Sequence, residues 1–166
     1  MRLLLSILAV GLPTAALPAP CTRLALVDSA ADRVVWSAPL EHGEEVVLGY
    51  THSLHGVPQR ETFVVESSGH LRLREVAFGS FDAAAYYDAD PVPPPRHENG
   101  IWRLDVSPER QIPPAPFRVG YKTEHFVETE SRRIRIADHI APGSLALLRQ
   151  QERCTTPGNE PATVGK

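Results

Sequence analysis

Glu45-Val46-Val47-Leu48-Gly49-Tyr50-Thr51-His52, a break over Ser53 to Gln59, and then Arg60-Glu61-Thr62-Phe63-Val64-Val65-Glu66: the fold turns on this stretch. Successive side chains of a strand point to opposite faces, so a period of two marks a half-buried strand. Val46, Leu48, Tyr50 and His52 share one face of the first run, and Glu61, Phe63 and Val65 share one face of the second. Gly56 and Pro58 interrupt the segment between them, which reads as a loop. Pairing the runs with Tyr50 opposite Phe63 sets Leu48 against Val65 and His52 against Glu61, and it keeps Val46, Leu48, Tyr50, Phe63 and Val65 on one side. Ser68-Gly69 is a turn signal, and a three-residue turn over Ser68 to His70 sets Val65 against Leu73. A one-residue slip would oppose Val65 with Arg72 and bury a charge.

The same punctuation continues in both directions. Thr22 to Val27, Arg33 to Trp36, Leu71 to Val76, Gly100 to Val106, Phe117 to Tyr121, Thr123 to Thr129, Arg132 to Ala137 and Ser144 to Gln150 are short runs separated by Gly, Pro, Asp and Ser. Sixteen prolines against eleven glycines favour short strands and loops over helices. Residues 79–100, with Pro93-Pro94-Pro95 in succession, read as one long proline-rich surface loop with a helical turn at Ala83 to Ala85. Long loops in compact domains are often functional. The expectation is an all-β fold, an antiparallel β-sandwich or partly open barrel of about eight to ten short strands. Trp36 and Trp102 read as sheet-packing residues, and Arg132, Arg133 and Arg135 as a solvated strand face.

Composition limits the function classes. A net charge of −3 gives no electrostatic case for nucleic acid. Met1-Arg2 followed by the apolar run Leu3 to Leu17 reads as an export signal over residues 1–19, with cleavage favoured after Ala16. At about 15 residues the run is short for a membrane span; the alternative is an uncleaved anchor. Residues 21–150 then form a single β domain, and 151–166 a polar, disordered tail. The compartment is periplasmic or otherwise exported, where Cys21 and Cys154 would pair as a disulfide worth about 3–5 kcal/mol. Two unpaired thiols are the other reading.

Nucleotide, nucleophile-elbow and paired-cysteine motifs are absent from the sequence, so histidine and carboxylate placement carries any chemistry. A carboxylate beside an imidazole raises its pKa and fixes its tautomer, which suits a general base or a metal ligand. His52 opposite Glu61, with His55 nearby and His125 converging from a later strand, would form a His/His/Glu set for a divalent metal such as zinc. The same pair can equally satisfy two polar groups at a core edge. Ser53 next to His52, and Thr51 before it, would point to the opposite face and could not share its proton. Tyr86 and Tyr87, with Asp82, Asp88 and Asp90, could rim a ligand site in the long loop.

Tyr50-Thr51-His52-Ser53-Leu54, then Pro58, then Glu61-Thr62-Phe63 resembles the Tyr-x-His-Ser-Val…Pro…Glu-x-Phe core of the family catalogued as domain of unknown function 1850. Phe78-Gly79-Ser80-Phe81, Asn99-Gly100-Ile101-Trp102, Phe117-Arg118-Val119-Gly120 and His125 resemble its later segments in order, so the likeness covers roughly residues 21–150. The chain departs at Asp82 to Tyr87, where the family pattern is glycine-rich. The resemblance implies a small exported protein associated with TRAP-type transporters of the TAXI class, and it marks His52, Ser53, Glu61 and, more weakly, His125. Three expectations follow. One is a non-enzymatic accessory partner or solute-handling module of such a transporter. Another is a metal-binding protein or metal-dependent hydrolase using His52, Glu61 and His125. The third is a binding sandwich that holds a small organic acid or amino acid.

Overall fold

The computed structural model describes residues 22–87, 93–107 and 114–151. The export segment, both cysteines, Asp88, Asp90 and the tail from residue 152 lie outside the described residues. Among the described residues eleven strands form two antiparallel sheets over one apolar core, a β-sandwich. In chain order they are β1 (Thr22–Asp28), β2 (Arg33–Leu40), β3 (Glu45–Thr51), β4 (Pro58–Val65), β5 (Leu71–Phe78), β6 (Arg96–Glu98), β7 (Ile101–Asp105), β8 (Phe117–Arg118), β9 (Phe126–Glu128), β10 (Arg133–Arg135) and β11 (Leu145–Gln151). The small sheet runs β2-β1-β11-β8 and the large sheet β10-β9-β3-β4-β5-β7-β6. Among the described residues no helix is long and apolar enough to cross a membrane.

The period-two faces fall where the sequence puts them. Val46, Leu48, Phe63 and Val65 from the large sheet and Leu24, Leu26, Ala146 and Leu148 from the small one are all buried in the shared core. The register differs. Val46 lies opposite Phe63, Leu48 opposite Glu61 and Tyr50 opposite Gln59, so β3 and β4 are offset by four residues from the expected pairing. An even offset keeps every side chain on its face, so periodicity cannot detect it, and turn geometry decides instead. The turn here is tight: His52 N–H donates to the Val57 carbonyl at 2.8 Å and Gly56 N–H to the His52 carbonyl at 2.8 Å. The β4–β5 pairing moves likewise, with Val65 opposite Leu71 and Phe63 opposite Leu73. A bulge between Thr62 and Phe63 switches the phase of β5, so that Leu71 and Leu73 and then Val76 and Phe78 all face the core.

Three further differences have local causes. Pro39 to Gly43 reads as a turn from sequence, but Pro39 lies inside β2, whose edge position tolerates it because the proline owes no ladder donor. The long loop holds two elements, a helix α1 (Phe81–Tyr87) and the strand β6. Ser80 Oγ accepts the Ala83 N–H at 3.2 Å as the helix cap, and Ala83 and Ala84 are buried beneath it. Strand β6 pairs with β7 through Asn99-Gly100, whose φ values of 53° and 80° are those of a two-residue hairpin turn. Trp36 and Trp102 pack against the core, and Arg132, Arg133 and Arg135 are exposed, as read from sequence. Strand β11 reaches Gln151, one residue into the expected tail, and pairs with β1.

Gly49 carries a stability prediction. It lies opposite Phe126 on the outer face of the large sheet, and a Cβ there would fall inside the Phe126 ring. The guanidinium of Arg133 lies 3.6 Å and that of Arg60 5.6 Å from the ring centroid. Gly49→Ala must displace this stack and should cost about 1–3 kcal/mol, read as a lower denaturation midpoint at unchanged slope.

Candidate functional site

At one end of the sandwich a cleft of about 510 Å³ is lined by Tyr50, Thr51, His52, Ser53, Gln59, Tyr86, Tyr87, Arg118, Gly120, Thr123 and His125. Its walls come from the β3–β4 turn, the end of α1 and the crossover from β8 in the small sheet to β9 in the large one. Of the residues singled out in sequence, His52, Ser53, Tyr86, Tyr87 and His125 therefore line one space, which His55 and Asp82 do not line. A second cavity, also about 510 Å³, lies between β5 and β11 and holds none of them.

Glu61 sits behind Tyr50. The Tyr50 hydroxyl donates to Glu61 Oε1 at 2.9 Å, and the Gln59 amide also hydrogen-bonds the carboxylate. Burial pushes the Glu61 carboxyl above its ordinary value of 4.5, against the two hydrogen bonds, which pull it down. Burial first, and the Glu61 carboxylate second, push the Tyr50 hydroxyl far up from 10.0, so it stays a donor. Tyr50 stacks on His125 at 5.3 Å between centroids, and His125 stacks on Phe117 at 5.3 Å, so the two lining rings are backed by a third.

The expected His52–Glu61 pair is not formed. The four-residue offset gives Glu61 to Tyr50 and leaves His52 beyond the end of β3. There its Nδ1 accepts the backbone N–H groups of Leu54 and His55, each at 3.3 Å, and closes the turn. Among the described residues no three His, Cys, Asp or Glu come together in a group that could hold a metal ion. His52, Glu61 and His125 thus do not assemble as the metal set, because the Tyr50 ring stands between His125 and Glu61. Ser53 is also placed differently from the strand argument: the strand stops at Thr51, alternation ends there, and Thr51, His52 and Ser53 all line the cleft.

Desolvation, and then the neighbouring His55, hold the His52 imidazole below 6.5. With Nδ1 accepting two amides, its neutral form carries the proton on Nε2 and offers a donor. His52 also meets Tyr86 edge-on at 5.5 Å. Burial lowers His125 too, offset in part by its hydrogen bond to the Thr123 carbonyl. Both histidines should titrate below 6.5 in the folded protein, and His52 should show the Nε2–H tautomer, both readable from imidazole nitrogen shifts.

Gln59 and Arg118 were missed by the sequence reading. Gln59 is 2% exposed, and it continues the Glu61, Phe63, Val65 phase by one step, a signal hidden by Pro58 beside it. Its Oε1 has no hydrogen-bond partner among the described residues. Arg118 is exposed, and its guanidinium donates to the Gly143 carbonyl. A comparison with known protein families, curated proteins and solved structures finds no match to this chain.

Proposed function

We propose that this chain is an exported, non-enzymatic solute-handling module that binds a small organic acid or amino acid in the β3–β4/α1/β8–β9 cleft and works beside a TAXI-type TRAP transporter. The observation that carries the reading is the convergence of His52, Ser53, Tyr86, Tyr87 and His125, from three distant segments, on one cleft of about 510 Å³. That volume lies within the usual range for small-molecule sites, roughly 300–1,000 Å³, and the lining combines aromatic surface with a few polar groups as such sites do. The export arm is supported by Met1-Arg2 and the apolar run behind them. The transporter arm is supported by the Tyr50 to Phe63 motif residues.

The test is a titration of isotope-labelled protein with a panel of carboxylic acids and amino acids. At least one compound should shift the His52, Tyr86 and His125 resonances together and raise the melting temperature with concentration. A panel that leaves all three unmoved removes the binding reading. Failure of the exported protein to co-purify with the membrane subunits of a TRAP transporter removes the partner reading.

A further inference from the structure

Resting on the solute-binding reading above, we infer that the cleft takes a small zwitterion of amino-acid type, its ammonium on Gln59 Oε1 and its carboxylate at Arg118. The argument begins at the floor. Gln59 is almost wholly buried in β4, its amide hydrogen-bonds Glu61, and its Oε1 has no partner among the described residues. A buried amide oxygen without a donor is destabilising, and native proteins rarely keep one. Here that oxygen belongs to a residue lining the cleft, where a ligand N–H would satisfy it.

The charges behind and around it select the donor. Glu61 hydrogen-bonds Tyr50 and Gln59, neither of them a cation. Its carboxylate therefore polarises the Gln59 amide and leaves Oε1 the more negative end. Tyr50 and Tyr86 add aromatic rings to the lining, a residue type whose quadrupole attracts cations. An ammonium fits this floor, and a carboxylate placed there would meet an acceptor. Arg118, steadied by the Gly143 carbonyl, also lines the cleft, and His52 carries a donor at Nε2. These are donors, and Arg118 is a full positive charge. A simple amine would gain the floor and be repelled by Arg118, whereas a simple acid would gain Arg118 and be repelled by the floor. Only a molecule with both groups satisfies both ends, which is selection by repulsion as much as by attraction.

The experiment uses the full chain and calorimetric titration with each proteinogenic L-α-amino acid. For the tightest binder, its des-amino acid and its decarboxylated amine are then titrated. Each half-molecule should bind about tenfold or more weakly than the amino acid, the usual loss for one charged hydrogen bond. Arg118→Gln should remove the preference for the amino acid over the amine. Gln59→Met should remove the preference over the des-amino acid, with circular dichroism checking the fold of this buried variant. A des-amino acid that binds as tightly as the amino acid, or organic acids that bind where amino acids do not, overturns the zwitterion and leaves the solute site standing. An amine that binds as tightly as the amino acid overturns the role of Arg118. No binding by amino acids, acids or amines to folded protein overturns both readings.

Discussion

Phe63→Ala should destabilise the protein by about 3–5 kcal/mol, the usual range for deleting a buried ring. Phe63 is 1% exposed and stands in β4 at the middle of the large sheet, between Val46 of β3 and Leu73 of β5. It also adjoins the bulge at Thr62, where β5 changes phase, so neighbouring side chains have little freedom to collapse into the space left behind. Domains of this size have roughly 5–15 kcal/mol in hand, so the variant should melt about 10 °C or more below the parent. Urea unfolding followed by the fluorescence of Trp36 and Trp102 measures it, since both tryptophans pack on the core. Val34→Ala on the exposed edge strand β2 is the control and should stay within about 0.5 kcal/mol. Equal losses at the two positions would mean that the core is not centred on Phe63.

What the sequence makes legible is parity. Val46, Leu48 and Tyr50, and Glu61, Phe63 and Val65, are read onto the inner face because alternation survives any even shift. The register is not legible, because the competing pairings differ by two or four residues and leave the same faces buried. The choice among them is made by a turn in which the His52 imidazole accepts two backbone N–H groups, a local device with no composition signature. The β6–β7 hairpin is different. Asn99-Gly100 is among the strongest hairpin signals, but the prolines at 93–95 drew the whole segment into one loop. For the site, the residue types that carry chemistry are legible in the sequence: His52, Glu61, His125, Tyr86 and Tyr87. Their relations are not, because these depend on register. An offset of four residues exchanges a histidine–glutamate pair for a tyrosine–glutamate pair and brings Gln59 into the floor. Arg118 was out of reach for another reason. The run Phe117 to Tyr121 reads as one strand, but β8 ends at Arg118, so alternation along the run does not show that the residue lines the cleft.

The second large effect is expected at Glu61, where the kind of substitution matters more than the loss of the residue. Glu61→Ala leaves the Tyr50 hydroxyl and the Gln59 amide without their acceptor in a buried place, and it should cost about 2–4 kcal/mol. Glu61→Gln keeps one acceptor oxygen for Tyr50 and Gln59 to share and should cost less than Glu61→Ala. The two also separate by pH. Because the folded-state pKa of Glu61 is raised above 4.5, its contribution to stability is fully present below 4.5 and is lost as pH rises through the folded value. His52 and His125, held below 6.5, act in the opposite sense: their contribution is present above 6.5 and is lost as pH falls through their folded values. Glu61→Gln removes the first effect and keeps the second. Its stability relative to the parent should therefore rise with pH from about 4.5 upward, while both proteins weaken on acidification below 6.5. Denaturant midpoints across that range read the difference directly, and parallel profiles would show that Glu61 is not a desolvated carboxyl. The consequence reaches the cleft. If Glu61→Ala were as stable as the parent, Tyr50 and Gln59 would have other partners, the acceptor floor would lose its source of negative charge, and the case for an ammonium there would go with it.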